Sequence, residues 1–296
     1  GVNDAAWGKQ DSAALTKNET AKLVDSVNSM STVEVTDKNK IALLQQLSQT
    51  GDGTPRYADF VGGVAGCNGT HGQISWQAES DKGAALGAVL YGGSFVGGVA
   101  GYNAPTGELN RCVSGSWLLV NKSDGIGVGT GGIVGMNESE KDLSYLLNQA
   151  FVGRQLANGA TSRFAGGIIG TQTNQTTTDW TIENCVNYGT VYGYQSHYSG
   201  GIVGQWTNNG GTIENCYNYG NLQTTLVIGW VGASGGIVAQ MYHAASGQDF
   251  NIISCQNHGS LYGRYGENKS NSANDSAGIL GNIAAVSRIP STWWIA

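Results

Sequence analysis

The sequence predicts an all-β protein, a parallel β-helix of about seven rungs preceded by a small N-terminal helical segment. Three observations carry that expectation. A Gly-Gly-Ile-Val-Gly segment returns every 34 or 35 residues. A second element, Ile-x-Asn-Cys-x-Asn-x-Gly, recurs between its copies. Residues 11 to about 50, by contrast, are poor in glycine and carry apolar residues at helical spacing.

The first element occurs as Gly62-Gly63-Val64-Ala65-Gly66, Gly97-Gly98-Val99-Ala100-Gly101, Gly131-Gly132-Ile133-Val134-Gly135 and Gly166-Gly167-Ile168-Ile169-Gly170. It continues as Gly200-Gly201-Ile202-Val203-Gly204, Gly235-Gly236-Ile237-Val238-Ala239 and, after a longer interval of 42, Ala277-Gly278-Ile279-Leu280-Gly281. A fixed period of this length is the mark of a solenoid, in which each repeat buries its apolar face against its neighbours. The second element is clearest at Ile182 to Val191, Ile213 to Leu222 and Ile252 to Leu261. Leu109 to Cys112 keeps its Ile and Cys positions, and Leu147 to Ala150 reads as a copy with Ala in place of Cys. Three strands per period follow: Gly-Gly-Ile-Val-Gly, Ile-x-Asn-Cys, and one entered through Asn-x-Gly at Val191, Leu222 or Leu261. Each pairs with its equivalent one rung away, about 4.8 Å along the axis. Glycine is expected where the chain turns with positive φ or where backbones crowd.

Ahead of the repeats, Leu23, Val24 and Val27, then Ile41, Leu43, Leu44 and Leu47, read as two helices. Thr16 and Glu19 fit a capping box, Thr36-Asp37 caps the second helix, and Gly51-Asp52-Gly53 ends the pattern. The expected division is a helical cap over 1–53, the β-helix over 54–286, and a tail or end cap over 287–296 containing Trp293-Trp294.

Composition narrows function by exclusion. The chain has 296 residues, 47 Gly, 3 Pro, only 12% charged residues and a net charge of -6. A surface of Asn, Ser and Thr suits a secreted or wall-attached protein. Without clustered Lys and Arg there is no footprint for nucleic acid. No apolar run reaches the length of a membrane helix, and Gly1 opens without a signal-peptide pattern, as expected of a piece of a larger parent chain.

At the Gly-Gly-Ile-Val-Gly and Asn-Cys-x-Asn-x-Gly elements, roughly residues 61 to 285, the sequence resembles the GLUG-motif repeats of bacterial cell-surface proteins. These include non-catalytic regions of Gram-positive IgA-cleaving metalloproteases and adhesin-like proteins. The resemblance implies a right-handed β-helix on an exported protein and carries over no catalytic residue.

Five cysteines are an odd count. Cys112, Cys185, Cys216 and Cys255 share one repeat position, so they are expected as a stack of buried free thiols, with Cys67 outside it. Asn184, Asn187, Asn215, Asn218 and Asn257 repeat as well and are expected to stack through their amides. Glu183 and Glu214 lie at a separation that suits paired glycosidase carboxylates, but repetition explains them more simply. His71, His197, His243 and His258 lack metal spacing, and His258 replaces Tyr188 and Tyr219 as a member of an aromatic stack. The sequons at Asn18, Asn68, Asn121, Asn137, Asn174, Asn268 and Asn274 read as incidental.

What does not repeat is left for binding. Tyr192, Tyr194, Tyr198, Trp206, Trp230 and Tyr242 lie in or beside the variable segments, where aromatic rings can stack on sugars or anchor a protein. The expected function is therefore a non-catalytic extracellular module, a scaffold or stalk presenting loops to host glycan or a surface protein, with no metal or cofactor. The alternatives are a polysaccharide lyase or glycoside hydrolase on a β-helix, and a plain spacer in a larger protease or filament.

Overall fold

A computed structural model describes residues 2–3, 59–75, 85–86, 89–116, 118–121, 128–153, 163–174, 180–194, 198–208, 210–225, 232–243, 250–264 and 274–285. Every described element is a strand, and the strands stack in parallel into a β-solenoid. The two expected helices, the tail over 287–296 and Trp230 lie outside the described residues.

Each turn is built from five short strands rather than three. In one turn they are Tyr198–Gly200, Val203–Asn208, Gly211–Glu214, Tyr217–Asn218 and Leu222–Thr225. Repeated along the chain, they make five faces of seven, eight, six, six and six strands. Within the segment expected as a cap, Val2–Asn3 adds the eighth strand to the second face, with Val2 opposite Cys67 and Asn3 opposite Asn68.

The miscount arises because each repeated element is a corner, not a strand. Ile202 and Val203 are adjacent yet both wholly buried, which the alternation of a flat strand forbids. The chain bends between them, and both of their N–H groups donate to the single carbonyl of Ile237, at 2.9 and 3.0 Å. Ile133 and Val134 do the same to the carbonyl of Ile168. The Asn-Cys element is a second corner. Its Asn184 and Asn215 adopt φ of 54° and 51°, as do Arg111, Tyr145 and Ser254 at the same repeat position. Left-handed backbone was expected at glycine, but here other residues supply it, and two of the five are asparagine, whose short amide tolerates αL better than other side chains do. The register also corrects one repeat boundary. Leu143 pairs with Ile182 and Leu147 with Val186, so the weak copy is Leu143 to Leu146, with Leu146 at the cysteine position.

The glycine pair serves proximity, not conformational freedom. A Cβ on Gly200 would lie 1.9 Å from the carbonyl oxygen of Val203, and one on Gly201 would lie 2.0 Å from that of Gly236 and 2.5 Å from Cγ of Asn218. Gly132 meets Asn148, Gly167 meets Asn187 and Gly236 meets Asn257 in the same way. The corner of one side of the coil thus presses on the asparagine column of the other. That contact divides the interior into two apolar columns. The larger holds Ile168, Ile202, Ile213, Ile237, Trp180 and Trp206 among others, and the smaller holds Val96, Ala150, Val152, Ala165, Val191 and Leu222.

Gly201→Ala is expected to destabilise the solenoid by about 3 kcal/mol through overpacking. Gly278→Ala, where an added Cβ meets nothing within 4 Å, leaves the urea midpoint unchanged. Equal effects of the two substitutions would refute the contact argument.

Candidate functional site

Asn187 shows what the repeated asparagines do. Its Nδ2 donates to the Gly189 carbonyl at 2.9 Å and to Asn218 Oδ1 at 2.7 Å. Its Oδ1 accepts from the Gly189 N–H at 3.1 Å and from Asn148 Nδ2 at 2.8 Å. All four positions of the amide are filled. Asn218 repeats the pattern and hands on to Asn257 at 2.7 Å. The five asparagines expected as one stack therefore have two roles: Asn184 and Asn215 form the left-handed corner, while Asn187, Asn218 and Asn257, joined by Asn148, form the inner ladder.

A second ladder escaped the sequence reading. Asn68, Asn103, Asn137 and Gln172 run along the second face, linked at 2.7, 2.7 and 2.8 Å, and all are wholly buried. Its signal was the Gly-x-Asn ending of the first motif, at Gly66-Cys67-Asn68, Gly101-Tyr102-Asn103 and Gly135-Met136-Asn137. Burial also removes Asn68 and Asn137 as glycan acceptors. The ladder stops where Trp206 takes the next position opposite Gln172.

Cys112, Cys185, Cys216 and Cys255 are free and buried. Their thiols donate to backbone carbonyls, Cys185 to Glu183 at 3.2 Å and Cys216 to Glu214 at 3.2 Å. Burial pushes the Cys112 thiol from an ordinary 9.0 up to about 11. Cys216 is raised well above the ordinary value, first by burial and then by its hydrogen bond with Cys185. Cys255 is raised by its hydrogen bond with Cys216 and then by burial. A thiol held neutral in this way is a poor nucleophile and a poor metal ligand. Cys67 is half-buried on the second face, opposite Tyr102. Tyr102 donates to Glu138 Oε2 at 2.6 Å, and burial, followed by that carboxylate, raises its pKa.

Glu183 and Glu214 are half-buried register neighbours on the third face. Asn215 Nδ2 approaches Glu214 Oε1 at 3.4 Å. Among the described residues no group of three or more His, Cys, Asp or Glu is arranged to hold a metal ion.

The six residues expected to bind are scattered. Trp206 is wholly buried, tilted against Trp180 at 5.2 Å and edge-on to Phe250 at 4.8 Å. It is a core residue and offers no ring to a surface ligand. Tyr198 is half-buried and stacks on Phe164 at 5.2 Å. Tyr242 is exposed on the second face, opposite Thr207. Tyr192 and Tyr194 lie on the fifth face, opposite Gln223 and Thr225.

What the structure does bring together is an outer column. Tyr188 and Tyr219 stack at 5.0 Å with planes 13° apart, and Tyr219 and His258 stack at 4.8 Å with planes 8° apart. The three rings are exposed. His258 thus takes the place in the stack expected of it. Among the described residues no helix is long and apolar enough to cross a membrane.

No family model, curated protein or solved structure matches this chain.

Two outcomes follow from the ladders. Asn218→Leu lowers the unfolding free energy by about 2–4 kcal/mol, because the amides of Asn187 and Asn257 each lose a buried partner. Asn215→Gly, which keeps the left-handed corner, changes it by less than about 1 kcal/mol; urea titration followed by circular dichroism separates them. For the thiols, the folded pKa of Cys112 lies above its unfolded value, so folding holds the proton more tightly. Stability from this group is intact below pH 9.0 and falls as pH rises from 9.0 towards about 11. A thiol-reactive dye should accordingly leave the four ladder cysteines unmodified in the native protein and label all five in denaturant. Rapid native labelling of Cys216 would contradict this.

Proposed function

We propose that this chain is a non-catalytic extracellular repeat module of a bacterial surface protein, an adhesin-like scaffold or stalk that presents its surface to host glycan or protein. The observation that carries the reading is the use made of the repeated polar residues. The cysteines and asparagines that recur with the repeat are committed to the fold as buried thiols, corner residues and amide ladders. The resemblance to GLUG-motif repeats supports the same reading, as does a surface poor in charge. In the finer form of the proposal the coil is right-handed and has about seven turns. Residues 1–53 cap one end, and residues 287–296 close the other or lead onward. The location is the cell wall or the extracellular space.

The in-register stacking of plain turns also favours a second reading, a spacer that sets the reach of a larger protein. The two are separated by presenting the purified chain to a glycan array, mucin and matrix proteins. Retention on at least one of them is expected. Retention on none, with deletion from the parent protein only shortening its reach, would replace the first reading by the second.

A further inference from the structure

We infer that the exposed aromatic column Tyr188, Tyr219 and His258, with the residues that flank it over 186–192, 217–223 and 256–262, forms a binding site for a linear, uncharged glycan lying parallel to the solenoid axis. This rests on the proposed function and moves its binding surface from the variable segments onto the repeat itself.

Three columns follow one another along each turn, from the fourth face through the corner to the fifth. Val186, Tyr217 and Gln256 form the first, with pairing between each and the next. Tyr188, Tyr219 and His258 form the second, and Gln256 Oε1 lies 3.0 Å from His258 Nε2, which joins the two. Four residues further along each turn, Tyr192, Gln223 and Tyr262 form the third. Tyr188, Tyr219 and Tyr262 are 55%, 44% and 59% exposed. So much aromatic area held in water is not required by the ladders, which lie inside.

The geometry selects the ligand. Rings stacked on one another cover their faces and turn their edges outward, so the column presents ring carbons and hydroxyl or imidazole groups at a repeat of 4.8 to 5.0 Å. A pyranose in an extended glycan advances by close to that spacing. Successive sugars then meet equivalent groups on successive turns, each offering C–H contact and a hydrogen-bond partner. An added peptide strand has no purchase here, because the strands Tyr217–Asn218 and Leu222–Thr225 are paired on both sides. The adjoining third face carries the carboxylates Glu183 and Glu214, which disfavour uronates and sulfated sugars.

The test is calorimetric titration of the full chain with hexasaccharides of β-linked glucose and of β-linked N-acetylglucosamine, with hexagalacturonate as the charged comparator. A neutral hexasaccharide is expected to bind, more tightly than its dimer and more tightly than hexagalacturonate. Tyr219→Ala and Tyr262→Ala are each expected to weaken it about tenfold, with circular dichroism showing both folded. Tyr145→Ala, at an exposed ring under Arg111 and outside these three turns, is expected to leave it unchanged. Absence of binding by both neutral hexasaccharides, equal or tighter binding of hexagalacturonate, or indifference to both substitutions would overturn the inference. Indifference to both with glycan still bound would leave the proposed function standing, whereas failure to retain any glycan, mucin or matrix protein would remove both.

Discussion

The close approach of a glycine to an asparagine on the opposite side of the coil governs the rest of this molecule. Gly201 admits Asn218, and Gly167 admits Asn187, because neither glycine carries a Cβ. Each asparagine is thereby sealed from water, so its amide must be satisfied from within. It is satisfied by its own turn and by the asparagines above and below. The burial that would otherwise penalise a polar side chain becomes a demand for register. A turn displaced by one residue would break two hydrogen bonds between amides and turn its asparagine to the outer face.

The consequences reach the surface. With the asparagine fixed, the next residue must point outward at a constant azimuth, and this places Tyr188, Tyr219 and His258 in one line. With the second corner fixed by left-handed backbone at Asn184 and Asn215, the thiol that follows is turned inward against the carbonyl two residues before it. Surface column, ladder and thiol stack are therefore three readings of one eight-residue element.

Much of this was legible in the sequence. The period, the parallel stacking, the buried thiols and the place of His258 all followed from repeat position alone. Position in a repeat says which residues are equivalent, but not whether they lie on a strand or at a bend. Hence Gly-Gly-Ile-Val-Gly passed for a strand although Ile202 and Val203 both face inward. The slip at Leu146 has a similar cause: in a run containing Leu143, Leu146 and Leu147, apolar character cannot decide which leucine stands for cysteine. Trp206 was misread because it follows a variable segment's logic in sequence, yet it occupies the ladder position of Gln172 and so points to the core.

The ladders also determine how such a rod responds to tension. Hydrogen bonds between turns run along the axis, so a pull on the two ends is carried by every turn in series, and a terminal turn, paired on one side alone, gives way first. Most turns that give way release 34 or 35 residues, and the last releases 42, on the order of 110 to 140 Å of chain. The molecule would yield in steps of similar size, dissipating force one turn at a time while the remaining turns keep their shape.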